Sequence, residues 1–152
     1  MIIRSIFICT LIGSQLLVAG PTIKTEKKNA FGEQKSVVTD KNGRKCAEIT
    51  TSEPDIFGGK KSVYRDRSGR VTGTAKINSP DIFGKVKSVY RDKSGRIVGT
   101  SETSEPDIFG NRITIFKDKS GRTIGKAVTE KPDIFGEQKT TIQGRTPLGC
   151  NK

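Results

Sequence analysis

Residues 54–79 read PDIFGGKKSVYRDRSGRVTGTAKINS, and residues 80–105 read PDIFGKVKSVYRDKSGRIVGTSETSE. The second is the first displaced by 26 positions, and the displacement holds along the chain. Phe-Gly recurs at Phe31-Gly32, Phe57-Gly58, Phe83-Gly84, Phe109-Gly110 and Phe135-Gly136. Asp40, Asp66, Asp92 and Asp118 keep the same step, as do Gly43, Gly69, Gly95 and Gly121, and Pro54, Pro80, Pro106 and Pro132. A fixed period of this size marks a repeat architecture in which each unit buries its apolar face against the next. Four units are complete, and a fifth, from Phe135, is truncated and altered.

One unit parses as a hairpin plus a connector. Lys61-Ser62-Val63-Tyr64-Arg65 is a strand, Asp66-Arg67-Ser68-Gly69 a turn, and Arg70 to Ala75 the return strand. Asp at the first turn position and Gly at the fourth suit a type I turn closed by a left-handed Gly, a three-residue hairpin loop with a bulge. This reading pairs Asp66 with Arg70 and sets Tyr64 opposite Thr72. It also gathers Val38, Tyr64, Tyr90, Phe116 and Ile142 into one apolar column. Gly73, Gly99 and Gly125 leave room for close backbone approach or for a neighbouring ring. The connector Pro-Asp-Ile-Phe-Gly turns the chain and is expected to send its Ile and Phe into the interior as a second apolar column.

The composition agrees with strands. Beyond residue 19 the only Leu is Leu148, while Val, Ile, Thr, Tyr and Phe are spread evenly between glycines, so the fold class is all-β. Ile, Leu, Val and Phe make up about a fifth of that region, near the lower edge for a folded chain, so the core must be thin. The expected architecture is a stack of tandem hairpins, an open β-solenoid or extended meander, with a closed small ring or barrel as the alternative. A transmembrane barrel is disfavoured, because segments such as KSVYRD put charges on both faces and the strands fall short of about 9–11 residues.

The N-terminus is separate from the repeats. Arg4 precedes an uncharged, mostly apolar run, SIFICTLIGSQLLVA, over residues 5–19. This reads as a secretory signal peptide cleaved after Ala19, too short for a spanning helix of about 20 residues. Residues 20–30 are then an N-terminal linker and 31–152 a single repeat domain, exported to the periplasm or the exterior. Cys9 leaves with the signal, and Cys46 and Cys150 remain, four repeat lengths apart. They form a disulfide within the chain, join copies end to end, or stay free. In a straight stack they would lie far beyond the Cα separation of about 4.4–6.8 Å that a disulfide allows, so an internal bond argues for closure.

Few residues point to catalysis. The 152 residues contain no His, which removes the common general base and the commonest metal ligand. Asp40-Lys41-Asn42-Gly43 resembles a calcium loop only until its later copies, DRSG and DKSG, replace the extra carboxylate positions with cations and Ser. Asp55, Asp81, Asp107 and Asp133 recur once per unit after a Pro, as turn-capping residues do. The reading is therefore not an enzyme, with no metal and no cofactor.

The basic residues are more suggestive. Lys and Arg number 28 against 16 Asp and Glu, for a net charge of +12. Arg70, Arg96 and Arg122 share one repeat position, Arg65, Arg91 and Lys117 another, and Lys61 and Lys87 a third. Stacked, they become lines of positive charge that could hold a polyanion: lipopolysaccharide, an acidic glycan or nucleic acid. The plainer account is that Arg70 and its equivalents pair with Asp66 and its equivalents. The function expected is a binding module for an anionic polymer or a partner protein. The alternative is a structural subunit of a surface or virion assembly that self-associates through its repeat ends or cysteines.

The units YRDRSGRVTGTA, YRDKSGRIVGTS and FKDKSGRTIGKA resemble the hairpin repeats of small uncharacterised exported proteins of bacteria and their phages. More distantly they are similar to bacterial MORN-like and YD-type repeats, which share a Tyr, an Asp-x-x-Gly turn and a downstream Gly. The resemblance spans residues 31–149. It departs from those families in unit length and in lacking a second aromatic, and it implies architecture without activity.

Overall fold

Residues 20–150 are described by the structure, a computed structural model. The stretch read as a signal peptide, including Cys9, lies outside the described residues. Ten strands follow one another: β1 Thr22–Thr25, β2 Gln34–Thr39, β3 Lys45–Thr51, β4 Lys60–Asp66, β5 Val71–Ile77, β6 Val86–Asp92, β7 Ile97–Thr103, β8 Arg112–Asp118, β9 Thr123–Thr129 and β10 Gln138–Gly144. Each pairs antiparallel with its chain neighbours, and β1 pairs with both β2 and β10. The meander is therefore a closed barrel.

Closure replaces the open solenoid. A flat ribbon would leave its aromatic column wet on one face and two unpaired edges, whereas rolling the twisted sheet buries the column and removes both edges. The first strand comes from the stretch read as a linker, since Thr22–Thr25 is β1. Cys46 and Cys150 are disulfide-bonded, with Cα atoms 5.8 Å apart. The open alternatives for these cysteines, end-to-end bonding and free thiols, do not apply.

The hairpins form as the turn chemistry dictates. In the second, Gly69 N donates to Asp66 O at 3.0 Å and Asp66 N to Arg70 O at 2.9 Å. The Asp66 carboxylate accepts from Ser68 N and Arg70 N at 2.8 and 3.0 Å. Gly69 sits at φ 80°, where a Cβ would be strained. The bulge takes up one residue, so Tyr64 pairs with Gly73 and Arg65 with Val71. The expected pairing of Tyr64 with Thr72 is one position off for that reason.

Alternation then sorts the side chains. Val38, Tyr90, Phe116 and Ile142 are buried, with Tyr64 packed beside them. Tyr64, Tyr90 and Phe116 meet edge to face at centroid separations of 6.1 and 6.3 Å, a favoured aromatic geometry. Beyond this layer, toward the loops that carry Phe57 and its copies, the inward positions are small: Ser36, Ser62, Ser88, Ala75, Ser101 and Ala127.

The connectors overturn the expectation of a second apolar column. Ile56 and Phe57 are 92% and 80% exposed, and Ile82, Phe83, Ile108, Phe109, Ile134 and Phe135 stand out likewise. Asp55-Ile56-Phe57-Gly58 is the same turn as Asp66-Arg67-Ser68-Gly69. Asp55 Oδ1 accepts from Phe57 N and Gly59 N, and Gly58 N donates to Asp55 O. The two central residues of such a turn are its tip, which points away from both strands.

Candidate functional site

The barrel has two unlike rims and an interior. One rim collects the turns at 40–43, 66–69, 92–95 and 118–121 together with the C-terminal tail. The other collects the five loops around Phe31, Phe57, Phe83, Phe109 and Phe135.

The tail closes the first rim. After β10, Arg145 N donates to Ile124 O at 2.9 Å. The chain then runs past Gly125, Gly99 and Gly73, where a Cβ would meet Arg145, Pro147 and Leu148 in turn. It ends at the Cys46–Cys150 bond on β3. The recurrent glycines thus provide the close approach that their spacing suggests, to the neighbouring strand's carbonyl (Arg91 O at Gly73, Lys117 O at Gly99) and to the chain's own segment 145–148.

Above the tail lies a cavity of about 340 Å³, at the small end of ligand pockets, which run about 300–1,000 Å³. A ten-stranded barrel is wider than the eight strands whose side chains just fill an interior, and its inward residues here are small. Tyr64, Tyr90, Phe116, Ile142 and Leu148 form the deep wall. Higher up, hydroxyls face one another across strand pairs: Thr25 with Ser36, Thr51 with Ser62, Thr103 with Thr114 and Thr129 with Thr140, at 2.7–2.9 Å. Ser101 and Tyr90 share a further hydrogen bond at 3.1 Å. Ile77 stands where the other return strands carry Thr, so Ser88 faces no hydroxyl on the β5 side and pairs with Ser101 on the β7 side.

The cavity mouth is cationic. Arg112 lines it, and no carboxylate does. Lys60 shares the inward register of Ser62 and pairs with Ile77. Burial holds Lys60 below the usual lysine pKa range, and the neighbouring charges of Lys28 and Arg112 push in the same direction. None of these three forms an ion pair among the described residues.

The closed rim is basic on its outside. Its turn segments, residues 40–45, 65–70, 91–96 and 117–122, with Arg145, carry thirteen Lys and Arg against four Asp. Among the described residues the expected Arg–Asp pairing occurs only between Arg96 and Asp92, at 3.1 Å. The aspartates are committed to backbone instead. Hydrogen bonds from Arg96 N hold the Asp92 carboxyl below its usual pKa, and those from Arg44 N do so for Asp40; on the opposite rim Asn111 N does the same for Asp107. Arg65 and Arg91 donate to the Gly69 and Gly95 carbonyls, which fixes them beside the turns. Of the cations singled out from sequence, Arg65, Arg70, Arg91, Arg96, Lys117 and Arg122 gather at this rim. Lys61 and Lys87 lie on the outer wall toward the other end, apart from them.

The second rim segments, residues 26–33, 52–60, 78–86, 104–112 and 130–138, hold six Lys and Arg against ten Asp and Glu. Nine exposed Ile and Phe side chains crown it. No helix among the described residues is long and apolar enough to cross a membrane. Compared with models of known families, with curated proteins and with solved structures, the chain matches none.

Proposed function

We propose that this protein is an exported, non-catalytic binding module whose closed rim holds an anionic polymer, lipopolysaccharide phosphates, an acidic glycan or nucleic acid. The observation that carries the reading is the concentration of thirteen cations on one rim whose four carboxylates are occupied by backbone N–H groups. The four carboxylates stay ionised and offset only four of the thirteen cations, and the charges lie at a repeated spacing around a ring, so weak contacts add through multivalency. A polyanion drawn to such a ring releases counterions, and its affinity falls steeply with salt.

The test is binding to DNA, heparin and lipopolysaccharide across a salt series, beside the triple variant Arg70→Gln, Arg96→Gln, Arg122→Gln. The expected result is a steep salt slope that shrinks in the variant by about three charges' worth, each counted at roughly 0.9 of a unit for duplex DNA. An unchanged slope would return these arginines to the role of surface solubility.

The reading as a structural subunit draws support from a different observation, the apolar crown. Nine exposed Ile and Phe around one rim exceed what a monomer ordinarily shows in one place. Self-association through that rim would make apparent size depend on concentration in light scattering, unaltered by reductant, because both cysteines are spent inside the chain.

A further inference from the structure

We propose that the barrel interior is a binding site for a small amphiphilic anion, an apolar chain or ring bearing one carboxylate, taken in through the crowned rim with its charge held at the mouth by Lys60 and Arg112. The site is distinct from the basic rim and does not depend on the polyanion reading.

Three observations select this chemistry. The cavity has one closed end, sealed by the tail, and a deep wall of Tyr64, Tyr90, Phe116 and Leu148, so an apolar group is buried at depth. The wall hydroxyls are bonded to one another in cross-strand pairs, which leaves one O–H donor per pair, and no carboxylate or amide side chain among the described residues lines the cavity. At the mouth Arg112 lines the cavity, Lys60 stands close enough to feel its charge and shares the inward register of Ser62, and neither has an ion-pair partner among the described residues. A half-buried cation with no partner has lost part of its water, and an anion that replaces that water is bound by charge-assisted hydrogen bonds. A neutral molecule of the same shape gains only the apolar contacts, and a cation is repelled.

The probe is decanoate, titrated by calorimetry below its aggregation concentration into the disulfide-bonded protein, with decanol as the uncharged control. Ser88→Leu fills the cavity, and folding of the variant is checked by circular dichroism. Lys60→Gln with Arg112→Gln removes the mouth charges without touching the packed layer, so it reports even if Ser88→Leu fails to fold. Phe83→Ser with Phe109→Ser thins the crown. One saturable decanoate site is expected, lost in Ser88→Leu, weakened about tenfold in the mouth variant while decanol is unaffected, and retained in the crown variant. The proposal is overturned by an absence of saturable binding, by binding that survives Ser88→Leu, by binding that vanishes with the crown, or by mouth substitutions that weaken decanol as much as decanoate. None of these outcomes bears on the heparin or DNA salt series, so the two readings fail separately.

Discussion

The two rims of this barrel are built from one turn and serve opposite chemistries. At both, an Asp carboxylate accepts two backbone N–H groups, a Gly with φ between 69° and 84° closes the loop, and the Gly N–H returns to the Asp carbonyl. Asn29 does the same for the first loop of the crowned rim, accepting from Phe31 N and Glu33 N. The tips differ: Ile-Phe at one end, Lys or Arg followed by Ser or Asn at the other. The turn backbone is thus indifferent to its tip, and the tip is free to carry function, as surface loops on a rigid scaffold generally are.

The rims also differ in how they are finished, and this difference has the largest expected effect. Only the basic rim is bolted. The Cys46–Cys150 bond closes a loop of 104 residues, which in the chain-entropy account stabilises by about 4–5 kcal/mol. The double variant Cys46→Ser, Cys150→Ser should lose that much in urea unfolding, against a barrel otherwise intact. A loss near zero would mean that the tail holds its place by packing alone and that the two rims are closed to the same degree.

A smaller effect separates the glycines. Gly95 on the basic rim has open space where a Cβ would go, whereas at Gly84 on the crowned rim a Cβ would run into the Glu105 side chain. Both have positive φ, so Gly95→Ala should cost about 1–2 kcal/mol from backbone strain alone. Gly84→Ala should cost more, by the displacement of Glu105. Equal losses in chemical denaturation would show that strain dominates at both rims and that the neighbour yields freely.

The smallest stability change belongs to the tips. Exchanging the four Ile-Phe pairs at 56–57, 82–83, 108–109 and 134–135 for Lys-Ser should move stability by less than about 0.5 kcal/mol, as surface changes do. Retention on a hydrophobic matrix should fall sharply. Unfolding of this variant would place those side chains in the core after all.

The reading from sequence reached the hairpins because Asp66, Gly69 and their copies carry the turn mechanism in their own chemistry. It reached the column of Val38, Tyr64, Tyr90, Phe116 and Ile142 because alternation is local. It missed the orientation of Ile56-Phe57 although the signal was present: Asp55-Ile56-Phe57-Gly58 has the same Asp-x-x-Gly spacing as Asp66-Arg67-Ser68-Gly69. The turn geometry overrides the hydrophobicity of its two tip residues. Closure was only an alternative, because it rests on pairing between residues 22–25 and 138–141, a long-range contact that no local pattern encodes. The cavity was out of reach for a related reason, since small inward residues leave a void only once the circumference is known. The basic positions were visible one by one, but their division between Arg70 at one rim and Lys61 toward the other appears only when the strands have a direction.

The tail threads past Gly125 on β9, Gly99 on β7 and Gly73 on β5 before reaching Cys46 on β3. It consumes one return strand at a time, and six residues, from Arg145 to Cys150, cover the course. Six residues reach at most about 20 Å. The segment therefore acts as a gauge of circumference. A gene duplication that inserted one more 26-residue unit would add two strands and a further glycine to pass, and Cys150 would stop short of its partner. Repeat proteins commonly gain and lose units with little penalty; in this one the length of the C-terminus fixes the count.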